Sequence, residues 1–196
     1  MRIRALAPVG MILTPAKTMR DLADGPWGRG VAPTVGLGMA WGCLSLILGL
    51  LGKTPSGPVT PPFSASGYYL WQAVFLPFLL LALWRLQTWT TAILARSLNA
   101  DRPDHDSEAL ANVLGYAYGV PVLVSLVLPD VLTLWLLGFE RLSSTLLYTA
   151  PLTLCWTLGL CTLGARTVYG MGWIRSLTSA LGGLMAHALV GALWIR

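Results

Sequence analysis

The order of apolar and polar positions divides the chain into long uncharged stretches separated by short polar joints. Residues 31–51 carry no charge, and Gly52-Lys53 ends the run. The following segment holds Pro55, Pro58, Pro61 and Pro62, so it is a loop rather than a helix. A second apolar run, 68–95, opens on Tyr68-Tyr69 and contains Pro77 and, toward its end, Arg85. The most polar stretch follows, from Arg96 to Glu108, with Ser107 placed to cap a third run over 108–128 that contains Pro121. Pro129-Asp130 interrupts it. Val131 to Leu137 is too short to cross about 30 Å of hydrocarbon, which predicts a half-helix or an interfacial return with Asp130 at the outer surface. Glu140-Arg141 marks water again. Two last runs, 145–165 and 176–195, are joined by a short linker, which predicts an antiparallel hairpin.

Ahead of the first run, Thr14 is placed to cap a short helix with Pro15 at its first position, and Gly25-Pro26 closes it. The mixture of charged and apolar residues between them predicts an amphipathic helix on the membrane surface, with Ala5 to Leu13 dipping into the headgroups beside it. The basic start is not expected to be a cleavable signal, because the next apolar stretch is short, contains Pro8 and Gly10, and leads only into more charge. The predicted fold is therefore an all-α, polytopic helical bundle. It has an interfacial segment over 1–30 and a membrane domain over 31–196 with five spans.

Composition supports this. Hydrophobic residues make up 55% of the 196 positions and charged residues 11%, against roughly 25% charged in an ordinary soluble domain. The net charge of +5 is scattered between the spans, which argues for membrane orientation and against nucleic acid. With the N-terminus inside, the cytoplasmic segments hold nine basic residues: Arg2, Arg4, Lys17, Arg20, Arg29, Arg96, Arg102, Arg166 and Arg175. The other side holds three, Lys53, Arg141 and Arg196. Trp27, Trp89 and Trp173 fall near the inner boundary, and Tyr68, Tyr69, Trp71, Tyr148 and Trp194 near the outer one. The expected topology is N-in, C-out.

Two runs carry small residues on one face. Gly38, Gly42, Ser45 and Gly49 mark the first, and Ser179, Gly183, His187 and Gly191 mark the last. Such stripes let backbones approach closely in lipid, within a bundle or across a homo-oligomer, and the intramolecular use is preferred. His187 is an ionisable group at membrane depth, with no acidic partner evident, and a neutral imidazole bonded to a neighbouring group is the expected state. Arg85 is expected to snorkel to the inner interface beside Trp84 and Trp89. Gly115 permits a close helix contact. Pro121 frees the Ala117 carbonyl, which a hydroxyl of Tyr116 or Tyr118 can satisfy. Cys43, Cys155 and Cys161 lie inside apolar runs without metal-ligand spacing and read as packing residues. The carboxylates of 101–108 match no calcium loop and read as a solvated cytoplasmic turn. No nucleophile-and-base pairing, HExxH or phosphate loop is present, so neither catalysis nor a cofactor or metal is expected.

Three segments resemble a known family. They are Thr14-Pro15-Ala-Lys-Thr-Met-Arg-Asp-Leu22, Val113-Leu-Gly115-Tyr116-Ala-Tyr118-Gly-Val-Pro121, and the ending from Cys155-Trp-Thr-Leu-Gly-Leu through Ala165-Arg-Thr-Val-Tyr-Gly. In this order they are similar to the Yip family of Ypt/Rab-interacting membrane proteins, and especially to its small bacterial members. Asp21-Leu22-Ala-Asp-Gly25-Pro26 is loosely similar to the Asp-Leu-Tyr-Gly-Pro motif of eukaryotic members, with the Tyr replaced and one residue inserted. The resemblance implies five spans, no enzymatic activity and, for so short a chain, a bacterial inner membrane. Eukaryotic relatives are associated with Rab GTPases and traffic. The expected function is a scaffold or adaptor that organises the bilayer or a protein partner. Its contact surface is expected at Pro15, Lys17, Arg20, Asp21, Gly25 and Pro26, together with the 96–108 loop. The rival readings are a small transporter or channel with a polar site near His187 and Tyr116, and an accessory subunit of a larger complex.

Overall fold

The computed structural model describes residues 3–55, 64–98 and 107–192, with side chains from Ala7 onward. These residues form helices α1 (Ile3–Leu13), α2 (Pro15–Ala23), α3 (Val31–Leu50), α4 (Tyr68–Ser97), α5 (Ser107–Val122), α6 (Leu128–Leu136), α7 (Leu142–Tyr169) and α8 (Trp173–Gly191). Four helical stretches are long and apolar enough to cross a membrane: Val31–Leu50, Tyr68–Ser97, Ser107–Leu136 and Phe139–Tyr169. Their outward faces are apolar, with Ile47, Val74, Phe78, Ile93, Trp135 and Leu147 exposed among many others. Water would not tolerate such a surface, and lipid requires it. The chain is an integral membrane protein.

The third stretch differs from expectation. It does not end at residue 128, and 131–137 is neither a half-helix nor a return. The helix continues through a π turn at Leu123–Val127 into α6, giving one 30-residue rod. Proline removes a ladder hydrogen bond and crowds the carbonyl four residues back. The wider π turn lies between Pro121 and Pro129 and absorbs both disruptions. Ser125 Oγ, inside that turn, donates to the Pro121 carbonyl (2.7 Å) and shares a hydrogen bond with Thr153 Oγ1 on α7 (2.7 Å). Thr133 and Thr145 form a second hydroxyl pair (3.0 Å) nearer the turn at Leu137-Gly138. There both amides bond to the Thr133 carbonyl, and Gly138 takes φ +86°. Chain reversal at that positive φ favours glycine. Asp130 therefore sits half-buried within a helix, about two turns short of the reversal.

The α7–α8 hairpin forms as expected, with a shorter joint. α7 runs to Tyr169, and Gly170, at φ +72°, caps it by bonding to the Arg166 carbonyl (2.9 Å). The expected fifth span corresponds to α8, whose 19 residues are not among the four apolar stretches; positions 193–195 of that expectation lie outside the described residues.

α5 is the axis of the bundle. Every residue from Ala109 to Val122 is buried. α1, α2, α3, α4 and α7 all pack on it, while α8 lies against α4 and α7. Small residues on α5 and on the helices around it allow this. A Cβ on Gly164 would strike Val113 at 2.6 Å, and one on Gly119 would press on Pro33 at 3.2 Å. The closest approach is at Gly115, where an added Cβ would overlap the Gly30 carbonyl oxygen and stand 2.6 Å from the Gly30 Cα.

Both small-residue stripes are used inside the chain. Gly38 faces Pro77, Gly42 faces the Ala73 carbonyl, and Ser45 donates to Gln72 Oε1 (2.9 Å), which brings α3 onto α4. Gly183 faces Thr91 and the Gln87 carbonyl, while Gly191 faces Leu83, bringing α8 onto α4. The faces through which a homo-oligomer was expected are thus covered by α4 of the same chain.

The Gly115 contact yields a direct prediction. Gly115→Ala should cost about 1–3 kcal/mol, since neither backbone can yield locally. Gly36→Ala, with nothing within 4 Å of the added carbon, should be neutral or better. Thermal unfolding of the two variants in one detergent tests this, and equal melting points would refute the backbone contact.

Candidate functional site

α1 and α2 pack across one end of the bundle, the end formed by the starts of α3, α5 and α8 and the finishes of α4 and α7. Ala7 and Met11 of α1, and Thr18, Met19 and Leu22 of α2, turn inward. Lys17, Arg20 and Asp21 stay exposed. Pro15 opens α2 as expected, but Thr14 does not cap it. Its hydroxyl points back to the Gly10 carbonyl (3.5 Å), because the residue follows directly on α1 and the preceding turn offers a nearer acceptor. Thr18 repeats the pattern onto the Thr14 carbonyl (3.1 Å).

The linker from Asp24 to Gly30 is clasped by α5. Asn112, 1% exposed, donates from Nδ2 to the Pro26 carbonyl (3.2 Å) and accepts from the Gly30 amide on Oδ1 (3.1 Å). Trp84 of α4 donates to the Ala111 carbonyl (3.1 Å) one residue earlier, and its ring lies against Gly30. Arg85 does not snorkel alone. It forms an ion pair with Glu108 (2.8 Å) and stacks on the Trp84 ring (4.6 Å), so its charge has a protein partner at the same end of the bundle.

Between α1, α2, the linker and α5 lies a cavity of about 660 Å³. Lys17, Asp21, Trp27, Arg29 and Tyr116 give it polar or amphipathic walls, and Ala7, Leu22 and Ala32 give it apolar ones. The Arg29 guanidinium lies flat on Gly25, where any Cβ would approach it to 2.5–2.7 Å. Its Nη1 donates to the Asp21 backbone carbonyl (3.2 Å), while its Nε is buried with no hydrogen-bond partner. Trp27 remains 72% exposed at the same cavity.

Of the expected contact surface, the structure joins Lys17, Asp21 and Pro26 to Tyr116 around this cavity, leaves Pro15, Arg20 and Gly25 outside its lining, and separates Tyr116 from His187. Tyr116 and Tyr118 are two residues apart on α5 and project about 200° from each other. Tyr116 lines the cavity, whereas Tyr118 turns into the bundle and packs on the His187 ring at 4.6 Å. The single polar site expected near His187 and Tyr116 is thus two sites.

The inner one collects groups from four helices. Gln87 Nε2 donates to Cys161 Sγ (3.3 Å), and Tyr118 and His187 stack beside them. Thr91 and Gly183 meet one turn along α4. Gln87 Oε1, Thr91 Oγ1, Thr157 Oγ1 and His187 Nδ1 are buried without a hydrogen-bond partner. Cys43 and Cys155 are exposed on the apolar outer surface instead, and all three thiols are free. The reading from sequence missed Gln72, Gln87 and Asn112, although an amide inside an uncharged span was a visible signal for each. It also missed Glu108 as the partner of Arg85. The rest of the acidic loop, 99–106, lies outside the described residues.

Comparison with protein-family models, with curated proteins and with solved structures finds no match to this chain.

The Asn112 clasp can be tested apart from any function. Asn112→Ala removes both hydrogen bonds and leaves the buried Gly30 amide without an acceptor, at a cost of about 1–3 kcal/mol. Limited proteolysis should then cut the 24–30 linker faster while the helical signal of the bundle persists. An unchanged cleavage rate would show that the linker is held by something else.

Proposed function

We propose that this chain is a non-enzymatic, five-span membrane protein of the Yip type that organises lipid or a protein partner through the cap formed by α1 and α2. The observation that carries the reading is the cap itself. Two short helices are anchored onto the bundle end by Met11, Met19 and Leu22, the linker behind them is held by Asn112, and their remaining face presents Lys17, Arg20 and Asp21. α2, with one buried and one charged face, is read as an amphipathic helix at the membrane surface. α8 is read as the fifth span, since its 19 described residues cover about 28 Å and it runs alongside α4 and α7. The basic residues Lys17, Arg20, Arg29, Arg96, Arg166 and Arg175 share the cap's end of the bundle, and Lys53 reaches Phe139 at the other. That asymmetry supports N-in, C-out in a bacterial inner membrane.

The reading predicts that Lys17→Glu combined with Arg20→Glu abolishes recovery of a co-purifying protein from native membranes in mild detergent, without lowering the yield of the chain. Identical recovery from the wild type and the double variant would sink it, as would a protease-accessible N-terminal tag on the outer face of spheroplasts.

The unpartnered buried groups of Gln87, Thr91, Thr157 and His187 favour a second reading, a narrow polar path for a small solute or proton. Buried polar atoms at membrane depth are costly unless water or a permeant satisfies them. Flux into liposomes carrying the purified chain, lost in His187→Ala, supports this reading. Absence of flux above that of empty liposomes removes it.

A further inference from the structure

The cavity beneath the cap has a chemistry more specific than a general contact surface. Lys17 and Arg29 both line it. Among the described residues neither has a carboxylate within ion-pair distance, whereas Arg85 of α4 is engaged by Glu108 at 2.8 Å. Arg29 is also fixed in place. Gly25 lies under its guanidinium, its Nη1 is held by the Asp21 carbonyl, and its Nε is buried with no acceptor. The cavity's own carboxylate, Asp21, forms no ion pair with either cation among the described residues, so both charges remain open to an anionic ligand. A guanidinium fork is suited to a phosphate.

The surroundings indicate which phosphate. The cavity lies where the spans end, with the 72%-exposed Trp27 on its wall, and α1, which lines it through Ala7 and Gly10, carries the exposed apolar side chains Val9, Ile12 and Leu13 on its other faces. Aromatic and apolar groups in that position belong at the boundary between headgroups and acyl chains. The volume of about 660 Å³ far exceeds a bare phosphate and accommodates a headgroup with its glycerol. Basic pockets at the ends of membrane helices are a recurring way of holding anionic headgroups. The Asp21 carboxylate, which also lines the cavity, can accept a hydrogen bond from a headgroup hydroxyl.

We propose that the cavity between α1, α2 and α5 binds the phosphodiester of an anionic phospholipid with a hydroxylated headgroup, with Arg29 and Lys17 as its cationic ligands. The proposal deepens the reading of the cap and rests on the cap lying at a membrane surface.

The test uses the full chain, delipidated in a non-ionic detergent, with short-chain phosphatidylglycerol, short-chain phosphatidylcholine and inorganic phosphate as separate probes. Phosphatidylglycerol should raise the melting temperature saturably and appear as a one-to-one adduct in native mass spectra, and the other two should do neither. Arg29→Gln and Lys17→Gln should each weaken the apparent affinity roughly five- to tenfold. Lys17 is exposed, so its variant keeps the test alive if Arg29→Gln fails to fold. Arg141→Gln, exposed at the opposite end of the bundle, should bind as the wild type does. Equal stabilisation by phosphatidylcholine overturns the role of charge, and equal stabilisation by inorganic phosphate makes the source a soluble anion rather than lipid. Unaltered affinity in both cavity variants overturns the site. Loss of partner recovery in the Lys17→Glu, Arg20→Glu double variant alongside that last result would leave the cap reading standing and the lipid site refuted.

Discussion

Two backbones, at Gly30 and Gly115, touch with no side chain between them, and the position of every functional group at the cap end follows from that contact. The Gly30 carbonyl occupies the space a Cβ on Gly115 would fill, and the Ala111 carbonyl occupies the space a Cβ on Gly30 would fill. Because carbonyl and amide groups are brought into the interior there, they must be bonded. Asn112 and Trp84 supply those bonds, each from a helix that the contact itself brings within reach. The linker is therefore set on α5 in one register. Arg29, next to Gly30, and Trp27, next to Pro26, inherit their places from it. α1 and α2 then close over the same end, with Met11, Met19 and Leu22 as their apolar contacts.

In lipid the usual driving force for helix association is missing, since acyl chains are as apolar as leucine side chains. This bundle uses three substitutes. Small residues allow close packing of α3 and α8 on α4 and of several helices on α5. Side-chain hydrogen bonds between spans add direction: Ser45 to Gln72, Gln87 to Cys161, and Ser125 to Thr153. An ion pair between Arg85, about three turns before the end of α4, and Glu108, in the first turn of α5, joins the two helices and keeps a guanidinium near the apolar region neutralised. The contrast with Arg29 is informative. Both arginines lie at the same end of the bundle and close to the central helix. One is paired with a carboxylate of the protein, whereas the other, among the described residues, is held only by the Asp21 backbone carbonyl, which separates a structural cation from one proposed to meet a ligand.

The broad fold was legible because its signals are local. Uncharged runs of about twenty residues, proline-rich joints and small-residue stripes can be read without knowing what faces what. The α7–α8 hairpin and the inward use of the stripes on Gly38, Gly42, Gly183 and Gly191 follow from such patterns. The third span was misjudged for an equally local reason. Pro129-Asp130 reads as a break under an ideal α-helical ladder, yet a π turn at Leu123–Val127 lets the ladder pass two prolines, and nothing in the apolar pattern announces it. The site was less legible still. Lys17, Asp21, Gly25 and Pro26 were identifiable as a contact surface from their place outside the spans. Their meeting with Arg29 and Tyr116 was not, because it depends on the clasp of residues 26 and 30 by Asn112, more than 80 positions away.

The same distinction bears on the division of Tyr116 from Tyr118. In sequence the pair reads as one aromatic feature, and at two residues' spacing a strand would place both on one face. A helix sends them to opposite sides, and a helix buried all round, as α5 is, gives each side its own environment. Tyr116 meets charge and a cavity at the end of the bundle, whereas Tyr118 meets His187 in the interior. A buried helix of this kind serves both sites without any shared ligand. Gly115 and Tyr118 stand three positions apart, less than one turn of α5, so the contact with Gly30 and the contact with His187 are set by one short stretch of backbone. Cap and interior thus share one element whichever of them carries the principal activity.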